Sequence, residues 1–179
     1  MHGHGSVREV SLDSVIVRPE IEADIPAVHE INCLAFESDD EATLVDRLRE
    51  AEESSLSLVA EIDGVCVGHI FYSAVSVAGA DSVLGLAPMA VTPALQKRGI
   101  GTLLVNHSLA RLRAENWDGV VVLGHPDYYP RFGFRPAAEY DLKCWFDVPD
   151  GVFMALELKK NGLEDARGLV EYHPLFNSF

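Results

Sequence analysis

Apolar positions fall first into a short β-branched run, Ser14 to Arg18 (SVIVR), which predicts a strand that Pro19 ends. Ile25, Val28, Ile31, Asn32 and Ala35 then recur at three- and four-residue spacing, predicting a helix of about three turns with Asp24 as N-cap and Pro26 just inside it. Phe36 to Asp40 (FESDD) interrupts the pattern, and Leu44, Val45 and Leu48 mark a second helix over Glu41–Ala51. Leu56–Ile62 and Val65–Val77 are apolar runs around Asp63-Gly64, a strong hairpin signal. Gly79 to Ser82 turns the chain into a further strand, Ser82–Val91. That strand contains Pro88, which has no N–H to donate to a central ladder and so marks a bulge or an edge. Ile100–Ala114 is helical but apolar on several sides, as expected when more than one layer covers a helix. After the Asp118-Gly119 turn, Val120–Leu123 is a continuous apolar run, the signature of a strand covered on both faces. Strand, helix and strand here predict a right-handed parallel crossover. Tyr140–Phe146 and Val152–Leu158 read as two late strands joined through Pro149-Asp150-Gly151, and Gly168 to Phe179 as a tail that could add an edge strand. No repeat or long linker divides the chain, so one domain is expected over residues 13–179, with residues 1–12 as a flexible tail.

The loop between the strand ending at Val91 and the helix opening at Ile100 carries the chemistry. Its sequence, VTPALQKRGIGT, holds Gln96, Lys97, Arg98, Gly99 and Gly101. A helix start leaves about four backbone N–H groups without intrahelical partners, and the macrodipole adds about half a positive charge. Glycines spaced G-x-G let an anion approach the main chain, and Lys97 and Arg98 add two full charges. Such a loop is built to hold a pyrophosphate. A P-loop requires Lys-Ser/Thr after its second glycine, which is missing, and the third small residue of a dinucleotide fingerprint would here be Leu104.

The arrangement that fits is Q-x-x-G-x-G, formed by Gln96, Gly99 and Gly101. It resembles the acetyl-CoA-binding motif of the GNAT superfamily of N-acetyltransferases. The element order resembles the GNAT fold over nearly the whole chain. The stretches LGHPDYYPRFGF (123–134) and V-x-Y-H-P-x-F (170–176) are similar to the YhbS-like predicted acetyltransferases.

The resemblance implies an α/β (α+β) fold: a mixed, mostly antiparallel central sheet, a splayed parallel β–α–β cofactor crossover and helices on both faces. It implies acetyl-CoA as co-substrate, without a metal, and direct transfer of the acetyl group to a primary amine of a small molecule or protein. Met89, Ala90 and Val91, on the bulged strand, would offer backbone groups to the thioester oxygen and pantetheine. Gln96, Lys97, Arg98, Gly99, Ile100, Gly101 and Thr102 would hold the pyrophosphate. Family members place a tyrosine four residues before the glycine of a Gly-Phe pair. Here that tyrosine is Tyr129, a general acid toward the departing thiolate; Tyr128 reads equally well as packing.

Two family features are missing. Leu84 to Val91 holds no carboxylate, so the usual glutamate base cannot be carried over, and Val120 to Asp127 holds no asparagine. Glu41 and His125 are candidate bases, with Glu37 and His69 weighed beside them and a water chain as competitor. A non-catalytic CoA-binding module would keep Gln96, Gly99 and Gly101 but not need Tyr129.

Net charge is −14 and the pI about 4.7, which repels nucleic acid and anionic membrane surfaces and favours a cationic amine. Lys97 is one of only four lysines, so its place in the loop stands out against that charge. Cys33, Cys66 and Cys144 are odd in number and widely spaced, implying reduced thiols and a cytoplasmic protein. The N-terminus has no apolar signal core, and no apolar run reaches membrane length. His2 and His4 read as part of a tail or an expression remnant. The late strands and the tail could supply a homodimer edge.

Overall fold

The computed structural model of the protein describes residues 10–145 and 147–178. His2, His4 and most of the expected tail lie outside them, as does Phe146. A seven-stranded sheet runs in the order β1-β2-β3-β5-β6-β9-β7. Its strands are β1 (Val15–Pro19), β2 (Leu56–Ile62), β3 (Val65–Ala74), β5 (Val83–Val91), β6 (Gly119–Leu123), β7 (Arg135–Pro136) and β9 (Phe153–Glu157). Among the described residues, only β5 and β6 pair in parallel within this sheet; its other pairs are antiparallel. Three short strands, β4 (Ser76–Ala78), β8 (Leu142–Cys144) and β10 (Arg167–Glu171), form a second sheet in the order β4-β10-β8.

Helices α1 (Ile25–Phe36) and α2 (Asp40–Glu50) cover one face of the large sheet, and α3 (Ile100–Ala114) covers the other. On the α3 side, Ile100, Leu104 and Leu109 pack among Leu58, Ile70, Tyr72 and Leu86. On the opposite side, Val28, Leu44, Val45 and Leu48 pack on Val59 and Phe71. The alternation of β3 sends Ile70 and Tyr72 to one layer and Phe71 to the other, as a two-residue period requires.

Several expectations need correction. The run Val65–Val77 is not one strand: β3 stops at Ala74, and β4 leaves for the second sheet. Apolar pattern alone does not show that a strand changes sheets. Tyr140 ends a 3-10 turn, and β8 starts at Leu142; it pairs in parallel with β10, while β9 sits between β6 and β7. The C-terminal strand β10 is the centre of the second sheet, not an edge of the first. Asp24 occupies the N-cap position of α1 but does not cap it. Its carboxylate takes two hydrogen bonds from Arg18, at 2.7 and 2.9 Å, and one from the Ile21 N–H at 2.8 Å. These charge-assisted bonds and the Ile21 N–H commit the carboxylate to the segment before α1 rather than to the N–H groups of its first turn. Leu12, assigned to the tail, belongs to a 3-10 turn (Leu12–Ser14) and leans on Gly99.

One buried polar group gives the fold a pH dependence. His69 is fully buried, with Nδ1 3.2 Å from Asn32 Nδ2 and Nε2 2.9 Å from Ser57 Oγ. Asn32 Nδ2 can only donate, so Nδ1 accepts and Nε2–H donates to Ser57. Burial, and secondarily Arg49, pushes the imidazole pKa down to about 3. The unfolded chain takes up this proton near pH 6.5 and the folded chain only near 3. The contribution is therefore complete above about 6.5 and is lost as pH falls below it. Lowering pH from 7 to 5 should cost about 2 kcal/mol through this residue. Asp24, held down to about 2 chiefly by Arg18, acts only below the ordinary carboxylate range, outside that window. Urea midpoints at the two pH values check this, since His69→Gln should flatten the difference.

Candidate active site

Pro88 sits in a bulge. Ile70 faces Met89 and Tyr72 faces Leu86, so Ala87 and Pro88 together oppose Phe71. The same point ends the pairing of β5 with β6, which covers only Val83 to Leu86. From there β5 runs on to Val91 along β3 alone, and the two parallel strands splay apart. The Thr92 N–H donates to Val67 O at 2.8 Å, and alternate residues of an antiparallel strand face the same way. Ala90 therefore faces His69 on β3, whereas the backbone groups of Met89 and Val91 face the opening. Ala90, expected to offer its N–H to a ligand, is turned into the sheet, and the backbone groups of Met89 and Val91 face the opening instead. Gln96 fixes the rim, its Nε2 donating to Val91 O at 3.0 Å.

The loop after β5 becomes an uncapped helix start. Gly99 is the N-cap of α3, with φ of 91°, and no side chain caps the helix or places an acid in its first turn. A left-handed φ of this kind favours glycine. Lys97 also adopts a positive φ, 63°, which for a side-chain-bearing residue is stored strain of about 1–3 kcal/mol. The result is a cavity of about 240 Å³ lined by Val91, Gln96, Lys97, Gly101, Thr102 and Arg131, among others.

One wall of this cavity comes from the aromatic loop, which sequence reasoning valued mainly for Tyr129. The Tyr128 hydroxyl lies 3.2 Å from Thr102 Oγ1, tying the loop to the first turn of α3. Arg131 stacks over the Tyr128 ring, 4.4 Å from its centre, and its Nε donates to Tyr128 O at 2.9 Å. Arg98 is exposed and does not line the cavity; Arg131 is the second cation there. The signal that could have found it is an arginine beside two tyrosines, since guanidinium planes stack on aromatic rings.

Tyr129 itself is buried, 8% exposed. Its ring meets Tyr128 and Phe134 edge-on and lies where a side chain on Gly124 would have to be, at the end of β6. It is near enough to Tyr72, the partner of Leu86 where the strands part, to raise that phenol further after burial has done most. Burial, with Tyr128 adding to it, holds the Tyr129 phenol in its protonated form.

The candidate bases separate. Glu37, at the end of α1, is exposed with a left-handed φ of 54°. His125 is exposed, and its Nδ1 accepts from the Asp127 N–H at 3.1 Å, a bond that shapes the loop. His69 is too weakly basic. Glu41, in the first turn of α2, keeps one carboxylate oxygen, Oε2, buried and without a hydrogen-bond partner.

The sequence model of the acetyltransferase (GNAT) family matches residues 25–134, from the start of α1 to the end of the aromatic loop. The chain belongs to this family. A curated relative, the uncharacterized N-acetyltransferase YhbS of Escherichia coli, is 39% identical over 167 residues, covering 92% of this chain and 100% of its own. The crystal structure of E. coli YhbS in complex with CoA superposes with a TM-score of 0.89, covering 93% of each chain. A GNAT family acetyltransferase from Brucella melitensis in complex with acetyl-CoA is 35% identical, with a TM-score of 0.76 over 90% of this chain and 97% of that one. As a GNAT acetyltransferase, the protein is an acetyl-CoA-dependent enzyme, and its residues suit that co-substrate. The splay leaves backbone groups of Met89 and Val91 free of β6, and the uncapped start of α3 faces a cavity with two cations. Among the described residues, no helix is long and apolar enough to cross a membrane.

Proposed function

We propose that the protein transfers the acetyl group of acetyl-CoA directly to a primary amine of a small molecule or protein. The observation that carries this is the joining of two features on one crossover. A splay offers backbone groups at Met89 and Val91, and an uncapped helix start at Gly99 sits beside it. The pyrophosphate would lie against Lys97, Gly101, Thr102 and Arg131, and the pantetheine along Met89 and Val91. When bound, acetyl-CoA supplies an activated acyl group, and the enzyme holds the amine against it, so proximity contributes much of the rate enhancement. The Met89 N–H would polarise the thioester oxygen. Tyr129, kept protonated by burial, would stabilise the departing sulfur and give it a proton. Glu41 is the candidate that best fits the base, because the attacking amine must first lose the proton it carries at neutral pH.

Calorimetric titration with acetyl-CoA, ATP and NADH tests the reading. Saturable binding of acetyl-CoA, with ATP and NADH at least tenfold weaker, is expected. Equal or stronger binding of ATP or NADH would overturn it.

A further inference from the structure

The large sheet gives the splay two approaches. The cradle and α3 lie on one face, where Ile100 and Leu104 close over Gly68. A co-substrate held there leaves the α1–α2 face for the acceptor. On that second face, several side-chain oxygens are shut off from solvent without a hydrogen-bond partner.

Ser73, on β3, is fully buried, and its Oγ is one of them. It faces the same layer as Phe71, two residues back, and stands opposite Gly85 on β5, just before the splay. The Tyr172 hydroxyl is the second. Its ring lies on Gly85, where an added Cβ would come within 2.7 Å of Tyr172 Cε1. The chain beyond β10 thus delivers Tyr172 to the same strand pair that holds Ser73. Glu41 Oε2 is the third. Glu41 belongs to the stripe of α2 that carries Leu44, Val45 and Leu48, one turn nearer the α1–α2 loop, so its side chain is on the sheet-facing side. Asn32 Oδ1, on α1, is also unpaired. Arg49, toward the other end of α2, gives its terminal nitrogens to Glu20 and Asp46.

Buried polar groups almost always have partners, and an unpaired one costs about 1–3 kcal/mol. Two unpaired hydroxyls that both sit at Gly85, just before the splay, and an unpaired carboxylate oxygen on the helix covering the same face are matched by a donor-rich cation. We propose that Glu41, Ser73 and Tyr172 form the acceptor subsite and that it binds a protonated primary ammonium, a proposal that rests on the acetyl-transfer reading above. The three N–H donors of the ammonium match the three oxygens, and Glu41 supplies the counter-charge. On transfer, Glu41 takes one proton from the ammonium. The nitrogen then bonds to the acetyl carbon as the carbon–sulfur bond breaks. The second nitrogen proton replaces the one that Tyr129 gives to sulfur.

The test uses n-butylamine, charged at pH 7, with n-butanol as its neutral control. Binding to the CoA-loaded protein is followed by NMR titration, and transfer by release of CoA thiol from acetyl-CoA. Ser73→Ala and Tyr172→Phe each remove only an oxygen with no partner to lose, so thermal stability should hold or rise. A merely structural role would therefore leave the kinetics unchanged. The expected result is that n-butylammonium binds at least tenfold tighter than n-butanol. Each of these variants, and Glu41→Gln, should weaken it at least tenfold while leaving acetyl-CoA affinity unchanged. Butylammonium binding that matches butanol, or that survives all three substitutions, would overturn the subsite while acetyl-CoA still binds. Loss of acetyl-CoA binding by the unmodified protein would instead strike the acetyl-transfer reading.

Discussion

Gly101→Glu is expected to weaken acetyl-CoA binding at least a hundredfold, about 2.7 kcal/mol, while the protein remains folded. Gly101 is the second residue of α3, and its N–H belongs to the uncapped first turn. A carboxylate at a helix start is favourable to the helix itself, by about 0.3–1 kcal/mol, because it answers the same partial charge a phosphate would. It would thus occupy the anion site from within. The nearest neighbours of an added Cβ are the Tyr128 hydroxyl at 3.3 Å and the end of Met89 at 3.5 Å, both able to shift. Gly99 is the poorer place for this test. With φ of 91° and Leu12 only 3.1 Å from an added Cβ, any substitution there strains the backbone as well as the site. Calorimetry with acetyl-CoA, beside a thermal melt, separates the two effects. Unchanged affinity in the folded variant would show that the helix start does not hold the co-substrate.

Tyr129→Phe should lower kcat by about a hundredfold, the lower range for loss of a positioned proton donor, with acetyl-CoA affinity changed less than about threefold. The ring stays, so its edge contacts with Tyr128 and Phe134 and its fit against Gly124 survive. Stability should therefore change little. The direction of the phenol's pKa adds a second signature. Because burial keeps it protonated, the wild-type rate should not fall from loss of this proton as pH rises to the ordinary tyrosine value near 10. Steady-state rates against acetyl-CoA and amine concentration check both points. A variant that turns over as the wild type does would reduce Tyr129 to a core residue.

These two residues are singled out by the sequence for different reasons. Gly101 belongs to a local pattern, Gln96 to Gly101, in which spacing along the chain is the same as spacing in the site. Tyr129 follows from the family resemblance, which sets a tyrosine four residues before the glycine of a Gly-Phe pair; a short 3-10 turn (Tyr129–Phe132) holds that spacing here. Arg98 and Arg131 show the limit. Both are near motif residues, but only the fold brings Arg131, thirty positions after Gly101, to the cavity wall.

The sequence by itself determined the features that rest on covalent and local chemistry. Asp63-Gly64 makes a hairpin, Pro88 lacks an N–H and forces a bulge, and Gly99 permits the left-handed turn that opens α3. Each is a property of one to four neighbouring residues, so period and composition suffice to read it. Tertiary structure alone decided where distant segments meet. It sent β4 to a second sheet and turned Ala90 toward β3 rather than the opening. It also laid Tyr172 across Gly85, beside Ser73. Those outcomes depend on register between strands and on which oxygens are left without partners after packing, quantities set by contacts far apart in the chain.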